Sequence, residues 1–191
     1  MISGVVLAAG EGTRFGATKQ LHPVGGKPMA QHAVDALTVA GVVDLIVVTG
    51  HDADSVEAAL SLPPGGRFVR NPNYREGQAS SLAAALHEVD DASEAAVVLM
   101  ADQPGIGAEI VQALITRFHA SRAKIVRAVY LDGPGPALLS REIFAEAGHL
   151  HGDVGARVLI ASHPDWVEQV PIDSDAPRDV DTPEDADRLS R

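Results

Sequence analysis

An apolar run that ends in a basic, glycine-rich loop constrains the fold of this chain more than any other feature. Residues 5–9 are short enough for one buried strand, and the loop of residues 10–19 carries three glycines, Arg14 and Lys19. Glycine lets backbone N–H groups approach an anion closely and adopts positive φ without strain. A strand that leads into such a loop suits a polyphosphate. We therefore predict a polyphosphate site within the first twenty residues.

Two familiar phosphate-binding loops do not fit this spacing. A dinucleotide fingerprint reads G-x-G-x-x-G, but after Gly10 and Gly12 the third glycine is Gly16, one residue late. The acidic residue expected on a ribose about twenty residues further on is also missing. A P-loop requires G-x-x-x-x-G-K-[ST], and no glycine of this sequence precedes a Lys-Ser or Lys-Thr pair.

Length and composition predict one domain over residues 1–191 with a sizeable aliphatic core. The chain is 46% hydrophobic but only 4% aromatic, so Val, Leu, Ile and Ala must fill that core, as in a buried parallel sheet. There is no cysteine, which excludes disulfides, a thiol nucleophile and thiolate metal sites.

The charge balance excludes some partners. The formal net charge of −11 repels nucleic acid and anionic membranes, so we expect neither as a partner. It also repels nucleotides, so a phosphate substrate needs local Arg or Lys side chains, backbone N–H groups or a bound cation. No apolar run reaches the roughly 18 residues of a membrane span, and no basic segment of a secretory signal is present. We expect a cytoplasmic enzyme.

Strand and helix patterns alternate along the chain. The predicted strands cover residues 2–9, 44–49, 67–70, 95–101, 124–130 and 166–172. The predicted helices cover residues 29–40, 54–60, 78–89, 108–120, 141–147 and 153–162, with a last short helix from Thr182; residues 133–136 are assigned to a loop. This alternation predicts an α/β fold, a three-layer α/β/α sandwich around a mostly parallel, Rossmann-like sheet.

Polar residues that follow the strands are the candidate site residues, because ligands of such sheets bind beyond the carboxyl ends of the strands. Asp102 directly follows an apolar strand, and Asp181 precedes a helix start. Each carboxylate is either a helix cap or a ligand of a hard cation. Two carboxylates beside a basic phosphate loop favour Mg²⁺, which prefers few protein ligands and the oxygens of phosphates.

The segment after the third strand is a further candidate. Asn71 ends that strand, Gly77 frees the backbone, and Ser80 and Ser81 lie in the first turn of a helix. The N–H groups and hydroxyls there suit an anion or a nucleotide base. Alternatively, the two serines only cap the helix.

Several of these segments resemble known motifs in family order. Residues 7–19 resemble the L-A-A-G-x-G-T-R-x-G-x-x-K signature of the nucleotidyltransferase superfamily, and residues 101–104 resemble the (G/A)-D-x-P motif of MobA-like members. Residues 179–185 are similar to their D-x-D-T-P-E-D motif. Residues 71–82 and 152–157 are typical of the molybdenum cofactor cytidylyltransferase branch. The chain departs from that branch at Gly12-Thr13, where serine is common, and at Pro134 or Gly135, where histidine is expected.

The resemblance implies a fold of the nucleotide-diphospho-sugar transferase type and a transfer of CMP from CTP to the phosphate of molybdopterin cofactor, with release of pyrophosphate. It implies that Asp102 and Asp181 hold Mg²⁺ and that Arg14, Lys19 and Asp102 are the catalytic residues. In the family, L-A-A-G goes with cytidine. The residues expected to bind the nucleotide are Leu7, Ala8, Ala9, Gly10, Gly12, Arg14, Lys19, Asn71, Gly77, Ser80 and Ser81.

Three alternatives remain open from the sequence. In the first, the chain is a nucleotidyltransferase whose acceptor is a sugar phosphate or an alcohol phosphate. In the second, the chain is a non-catalytic nucleotide-binding or chaperone module that serves a molybdoenzyme, although both aspartates and the Arg14/Lys19 pair favour an enzyme. The third is a dinucleotide oxidoreductase, which the displaced glycine disfavours. A molybdoenzyme or its chaperone is the candidate protein partner.

Overall fold

The structure is a computed structural model that describes residues 1–12, 15–152, 156–180, 182 and 184–186. Strands and helices alternate along most of it. The labelled elements are β1 (Ile2–Leu7), β2 (Pro23–Val24), β3 (Lys27–Pro28), α1 (Met29–Val39), β4 (Asp44–Thr49), α2 (Ala53–Ala59), β5 (Gly66–Arg70), α3 (Gln78–His87), β6 (Ala95–Met100), α4 (Ala108–Ser121), β7 (Ile125–Val129), β8 (Pro134–Ser140), α5 (Phe144–Gly148), α6 (Arg157–Ser162) and β9 (Val167–Pro171).

Seven strands form one sheet in the order β5-β4-β1-β6-β8-β7-β9. Every neighbouring pair is parallel except the two that involve β8, which runs antiparallel to both β6 and β7. Because β4 and β6 lie on opposite sides of β1, the carboxyl ends of β1 and β6 border the crevice where such sheets bind ligands.

Helices cover both faces of the sheet, and the side chains of β1 alternate between them. Val6 packs in a core with residues of α1, α2 and α4, whereas Val5 and Leu7 pack in a core with α3, α5 and α6. This is the two-residue period of a strand that is buried on both faces. The predicted three-layer sandwich with a mostly parallel sheet is confirmed.

The strand β8 contradicts the predicted loop at residues 133–136. Pro134 and Pro136 suggested a turn, because proline cannot donate a backbone hydrogen bond. In the structure β8 pairs with β6 only from Ala137 to Ser140, so both prolines lie before that ladder. The ladder with β7 is irregular between its Ala137 and Pro134 pairs, and a missing N–H is tolerated at such a place.

The short hairpin of β2 and β3 was also not predicted. Gly25 and Gly26 join its strands with φ of 56° and 84°, the left-handed values that a two-residue hairpin turn requires. A small core of Phe15, Val24 and Met29 with Val180 and Ala186 then joins this hairpin to the loop after β1 and to the C-terminal segment.

The predicted helices form with small differences at their ends. Asp52 stands at the cap position of α2 in a left-handed conformation, whereas Asp54 was expected there. α6 begins at Arg157, and residues 153–155 of the predicted helix lie outside the described residues. Thr182 caps the last turn as predicted, since its hydroxyl accepts from the Asp185 N–H at 3.3 Å. Among the described residues, no helix is both long and apolar enough to cross a bilayer.

Candidate functional site

A cleft of about 850 Å³ opens at the carboxyl ends of β1 and β6. The segments that follow β1, β5 and β6 form its walls, so the structure brings the three predicted site segments to one place, as the parallel sheet requires. The predicted site residues that line it are Leu7, Ala9, Gly10, Gly12, Lys19, Gly77, Ser81 and Asp102.

Gln20 holds the turn after β1 and was not predicted as a site residue. Its Nε2 donates to the carbonyl oxygens of Ala8 at 3.0 Å and Gly10 at 2.7 Å, and the side chain is buried. Among the residues that the structure describes, none accepts a hydrogen bond from the N–H groups of Ala9 and Gly10. These two donors beside the cleft suit the polar edge of a base or an anion. No sequence pattern distinguishes Gln20 from a solvated polar residue.

Gly12 is a position where glycine is required. Its φ is 59°, and a Cβ atom there would lie 2.9 Å from the Cβ of Lys19. Both the backbone conformation and the close approach therefore exclude a larger residue. Because Gly12 has no side chain, the glycine loop can lie directly against Lys19.

Lys19 and Asp102 form an ion pair at the base of the cleft. Lys19 Nζ lies 3.0 Å from Asp102 Oδ2, and the two side chains are 11% and 29% exposed. The Asp102 carboxylate is thus held at the tip of β6 and remains partly open to the cleft. A hard-cation ligand needs this placement, and Mg²⁺ takes only one or two carboxylates besides phosphate oxygens and water. Arg14 and Asp181, the other predicted charged residues, lie outside the described residues.

The C-terminal segment lies beside Asp102. The Val180 N–H donates to the Asp102 carbonyl at 3.0 Å, and Gln103 Nε2 donates to Asp179 Oδ1 at 2.8 Å. The two predicted motifs are therefore neighbours in space through their described members. Within the described part of the chain, no group of three or more His, Cys, Asp or Glu side chains is placed to hold a metal.

Asn71 and Ser80 shape the wall formed by residues 71–77. Asn71 is buried, and its Nδ2 donates to the hydroxyls of Ser80 at 2.9 Å and Ser81 at 3.0 Å. The Ser80 hydroxyl donates to the carbonyls of Asn73 and Gly77. Both side chains are thus engaged in loop contacts, and neither lines the cleft. Gly77, with φ of 103°, stands at the cap position before α3 and does line the cleft.

Ala8, in contrast to its neighbour Ala9, is 1% exposed and packs in the core beside α1. Ala9 faces the opposite side, where Gly50 and Tyr74 approach it. A Cβ on Gly50 would lie 2.7 Å from the Cβ of Tyr74 and 2.9 Å from that of Ala9. Gly50 therefore allows Tyr74 to pack against Ala9 at the cleft.

The far end of the glycine loop is tied to the turn after β4. Thr18 Oγ1 donates to Asp52 Oδ2 at 2.6 Å, and Ser55 Oγ donates to Asp52 Oδ1 at 2.7 Å. These hydrogen bonds stabilise the carboxylate and lower the pKa of Asp52. The turn that contains Asp52 thus fixes where the loop ends before Lys19.

At Gly135 the structure gives a reason for the departure from the expected histidine. A Cβ atom there would lie 2.5 Å from Cε2 of the Tyr130 ring. With Tyr130 buried in this position, no side chain fits at residue 135.

Comparisons with known proteins agree with this arrangement. A family model described as the MobA-like NTP transferase domain matches residues 4–167. The bifunctional protein GlmU of Brevibacillus brevis is 37% identical over 156 residues, which are 78% of this chain; the chain spans only about a third (32%) of that relative's length.

Two further proteins match over nearly their full length. Nicotine blue oxidoreductase of Paenarthrobacter nicotinovorans is 30% identical over 98% of this chain and 96% of its own. The crystal structure of Rv0371c from Mycobacterium tuberculosis, in complex with manganese, is 32% identical over 99% of this chain and 97% of that one, with a TM-score of 0.83.

Proposed function

This chain belongs to the MobA-like NTP transferase family, and we propose that it transfers CMP from CTP to the phosphate of molybdopterin cofactor, with release of pyrophosphate. The observation that carries the proposal is the cleft in which the glycine loop presents Lys19 opposite Asp102. A cation for the leaving phosphates and a carboxylate for a metal are the two groups that such a transfer requires.

Lys19 is proposed to bind the β- and γ-phosphates together with Arg14. The Lys19 ammonium leaves Asp102 for the triphosphate when the nucleotide binds, and it then stabilises the charge that develops on the departing pyrophosphate. The left-handed Gly12 supports this role, because it lets the loop backbone lie close to the same phosphates.

Asp102 and Asp181 are proposed to hold Mg²⁺. The manganese complex of Rv0371c supports a divalent metal in this family. When bound, the metal would neutralise charge on the reacting phosphates. The position of Asp102 at the tip of a buried strand supports the assignment, since its backbone is fixed while its carboxylate remains reachable from the cleft.

The reaction needs no general base from the protein. A phosphate nucleophile is already ionised at neutral pH, so its attack on the α-phosphate requires positioning and neutralisation of charge. The chain's own contribution is then to hold the triphosphate in line with the acceptor and to release pyrophosphate.

The turn of residues 7–10 is proposed to select cytosine. The N–H groups of Ala9 and Gly10, held in place by Gln20, would pair with the edge of the base. The Ala9 methyl group, packed beside Tyr74, limits the room for a purine. Residues Leu7, Ala8, Asn71, Gly77, Ser80 and Ser81 complete the proposed nucleotide site, with Ala8, Asn71 and Ser80 acting by supporting its walls.

A sugar phosphate or alcohol phosphate is the second candidate acceptor. The GlmU relatives favour this acceptor. The residues at Gly12-Thr13 and Gly135 also favour it, since they depart from the pattern of the molybdenum cofactor branch. The nicotine blue oxidoreductase relative makes electron transfer a third activity to test. A molybdoenzyme or its chaperone stays the proposed protein partner.

One set of incubations tests these candidates. The protein is mixed with Mg²⁺, each nucleoside triphosphate in turn, and molybdopterin cofactor, a sugar 1-phosphate or an alcohol phosphate, and the products are resolved by mass. We expect a cytosine dinucleotide of the cofactor and pyrophosphate. A sugar dinucleotide would favour the second acceptor. A parallel incubation with NADH or NADPH tests the third activity, and oxidation of either one, with no pyrophosphate released in the first set, would refute the transfer.

A further inference from the structure

A second ion pair crosses the mouth of the cleft, and the proposed transfer gives it no role. Arg75 Nε donates to Glu11 Oε1 at 2.8 Å and so joins the loop after β5 to the loop after β1. Both residues line the cleft. We propose that Arg75 is a further triphosphate-binding residue, which Glu11 holds in position until the nucleotide arrives. This inference rests on the proposed function, because it assigns Arg75 to the same nucleotide.

The location of Glu11 places Arg75 over the phosphate loop. Glu11 stands between Gly10 and Gly12, and Gly12 lies against Lys19. Arg75 reaches this segment from the loop after β5, while Lys19 contacts it from the end of the loop after β1. Two cations that converge on one glycine-rich segment suit a ligand with several phosphate groups better than an acceptor with one.

The charges of the cleft point in the same direction. Among the described residues that line it, Lys19 and Arg75 are the positive side chains, and each is paired with an acidic one, Asp102 or Glu11. The described part of the lining is therefore neutral within a chain whose net charge is −11. A triphosphate gains the positive charges of Lys19 and Arg75 only when these pairs separate, which makes both cations available together.

The Arg75–Glu11 pair is suited to such an exchange. The side chains are 77% and 35% exposed, and an exposed pair contributes little to stability. The contact uses Nε, whereas the terminal nitrogens of arginine form the fork that binds two phosphate oxygens at once. Arg75 also lies over the Tyr74 ring, with its guanidinium carbon 5.6 Å from the ring centroid, which keeps the charge at the cleft when Glu11 releases it.

Equilibrium binding of CTP in the presence of EDTA tests the assignment, because Asp102 then holds no metal. Calorimetry would compare the wild type with Arg75→Gln, Glu11→Gln and the double variant, and CMP would serve as a ligand that lacks the β- and γ-phosphates. Arg117→Gln and Glu168→Gln remove a matched ion pair outside the cleft and should change neither affinity.

The two single variants should act in opposite directions. We expect Arg75→Gln to weaken CTP binding about tenfold, because it removes a charged hydrogen bond to phosphate, and to leave CMP binding unchanged. Glu11→Gln should tighten CTP binding about threefold, because the pair no longer has to separate. That gain should disappear in the Arg75→Gln background.

Other outcomes would overturn the assignment of Arg75. If both single variants weaken CTP binding, the pair is a structural clasp. If Glu11→Gln tightens binding equally in both backgrounds, the effect is one of charge alone. If Arg75→Gln leaves CTP binding unchanged and changes only the KM of the acceptor in turnover assays with Mg²⁺, the residue belongs to the acceptor site. A wild type that binds no nucleotide even when Mg²⁺ replaces EDTA would instead refute the proposed function itself.

Discussion

Replacing Asp102 by asparagine tests the proposed metal site most directly. Asn keeps the shape of the side chain at the tip of β6 but removes the charge that Lys19 and a divalent metal would share. Loss of one preorganised electrostatic contact to a transition state lowers kcat by about 10²-fold or more, which corresponds to about 2.7 kcal/mol in activation free energy.

The cost of the same substitution in folding stability should be small. The Asp102 and Lys19 side chains are 29% and 11% exposed, so the pair lies between a surface pair and a buried one. We estimate a loss of about 1 kcal/mol in the free energy of unfolding, well below that of a core substitution. The Asp102 backbone contact with Val180 does not involve the side chain and should persist.

Release of pyrophosphate at saturating Mg²⁺ and CTP measures kcat, and thermal unfolding measures stability. Asp35→Asn is the matched control, because Asp35 also pairs with a lysine, Lys27, but does not line the cleft. We expect the control to keep its turnover within about twofold of wild type, the range of a surface substitution. Turnover near that of the wild type in Asp102→Asn would refute the metal assignment, provided that the variant remains folded.

Further predictions concern the loop, the base and a buried carboxylate. Lys19→Ala and Arg14→Ala should each weaken CTP binding. A swap between Lys and Arg should be less harmful at Lys19 than at Arg14, because arginine can bind two phosphate oxygens and lysine acts as a point charge. Normal binding and turnover in both alanine variants would mean that the loop is structural. The wild type should prefer CTP over GTP about tenfold to hundredfold in kcat/KM. Ala9→Gly should shift this ratio towards GTP more than it lowers total activity. A wild type that prefers GTP would contradict the cytidine assignment. Burial alone would raise the pKa of Asp44, but hydrogen bonds from Ser3 and Arg67 outweigh it and lower the pKa. This carboxylate therefore stabilises the fold at neutral pH, and the stabilisation is lost as the pH falls through the folded-state pKa. Denaturant titrations from pH 6 to pH 3, a window of about three pH units around the ordinary carboxyl range, should show that the free energy of unfolding falls more steeply in the wild type than in Asp44→Asn. Equal slopes in the two proteins would contradict the reasoning.

The sequence predicted those features that local patterns encode. Apolar runs such as β1 and β6 are continuous because both faces of their strands are buried, and the loop after β1 is rich in glycine because the backbone there turns left-handed at Gly12. The position of Asp102 at a strand tip could be predicted because it directly follows such an apolar run. A parallel sheet gathers its strand ends, so the meeting of three segments in one cleft followed from the fold class.

The tertiary structure alone decided which side chains face each other. Two prolines led to the prediction of a loop where β8 begins, because the pairing of β8 with β6 starts only after them. Only the assembled sheet shows that register. Gln20 looks like a surface residue until the fold buries it behind the turn of residues 8–10. Glu11 and Arg75 are 64 residues apart, and Lys19 and Asp102 are 83 apart. Local periodicity determines burial and turns, but such contacts depend on the order of strands in the sheet, which many weak long-range interactions fix together.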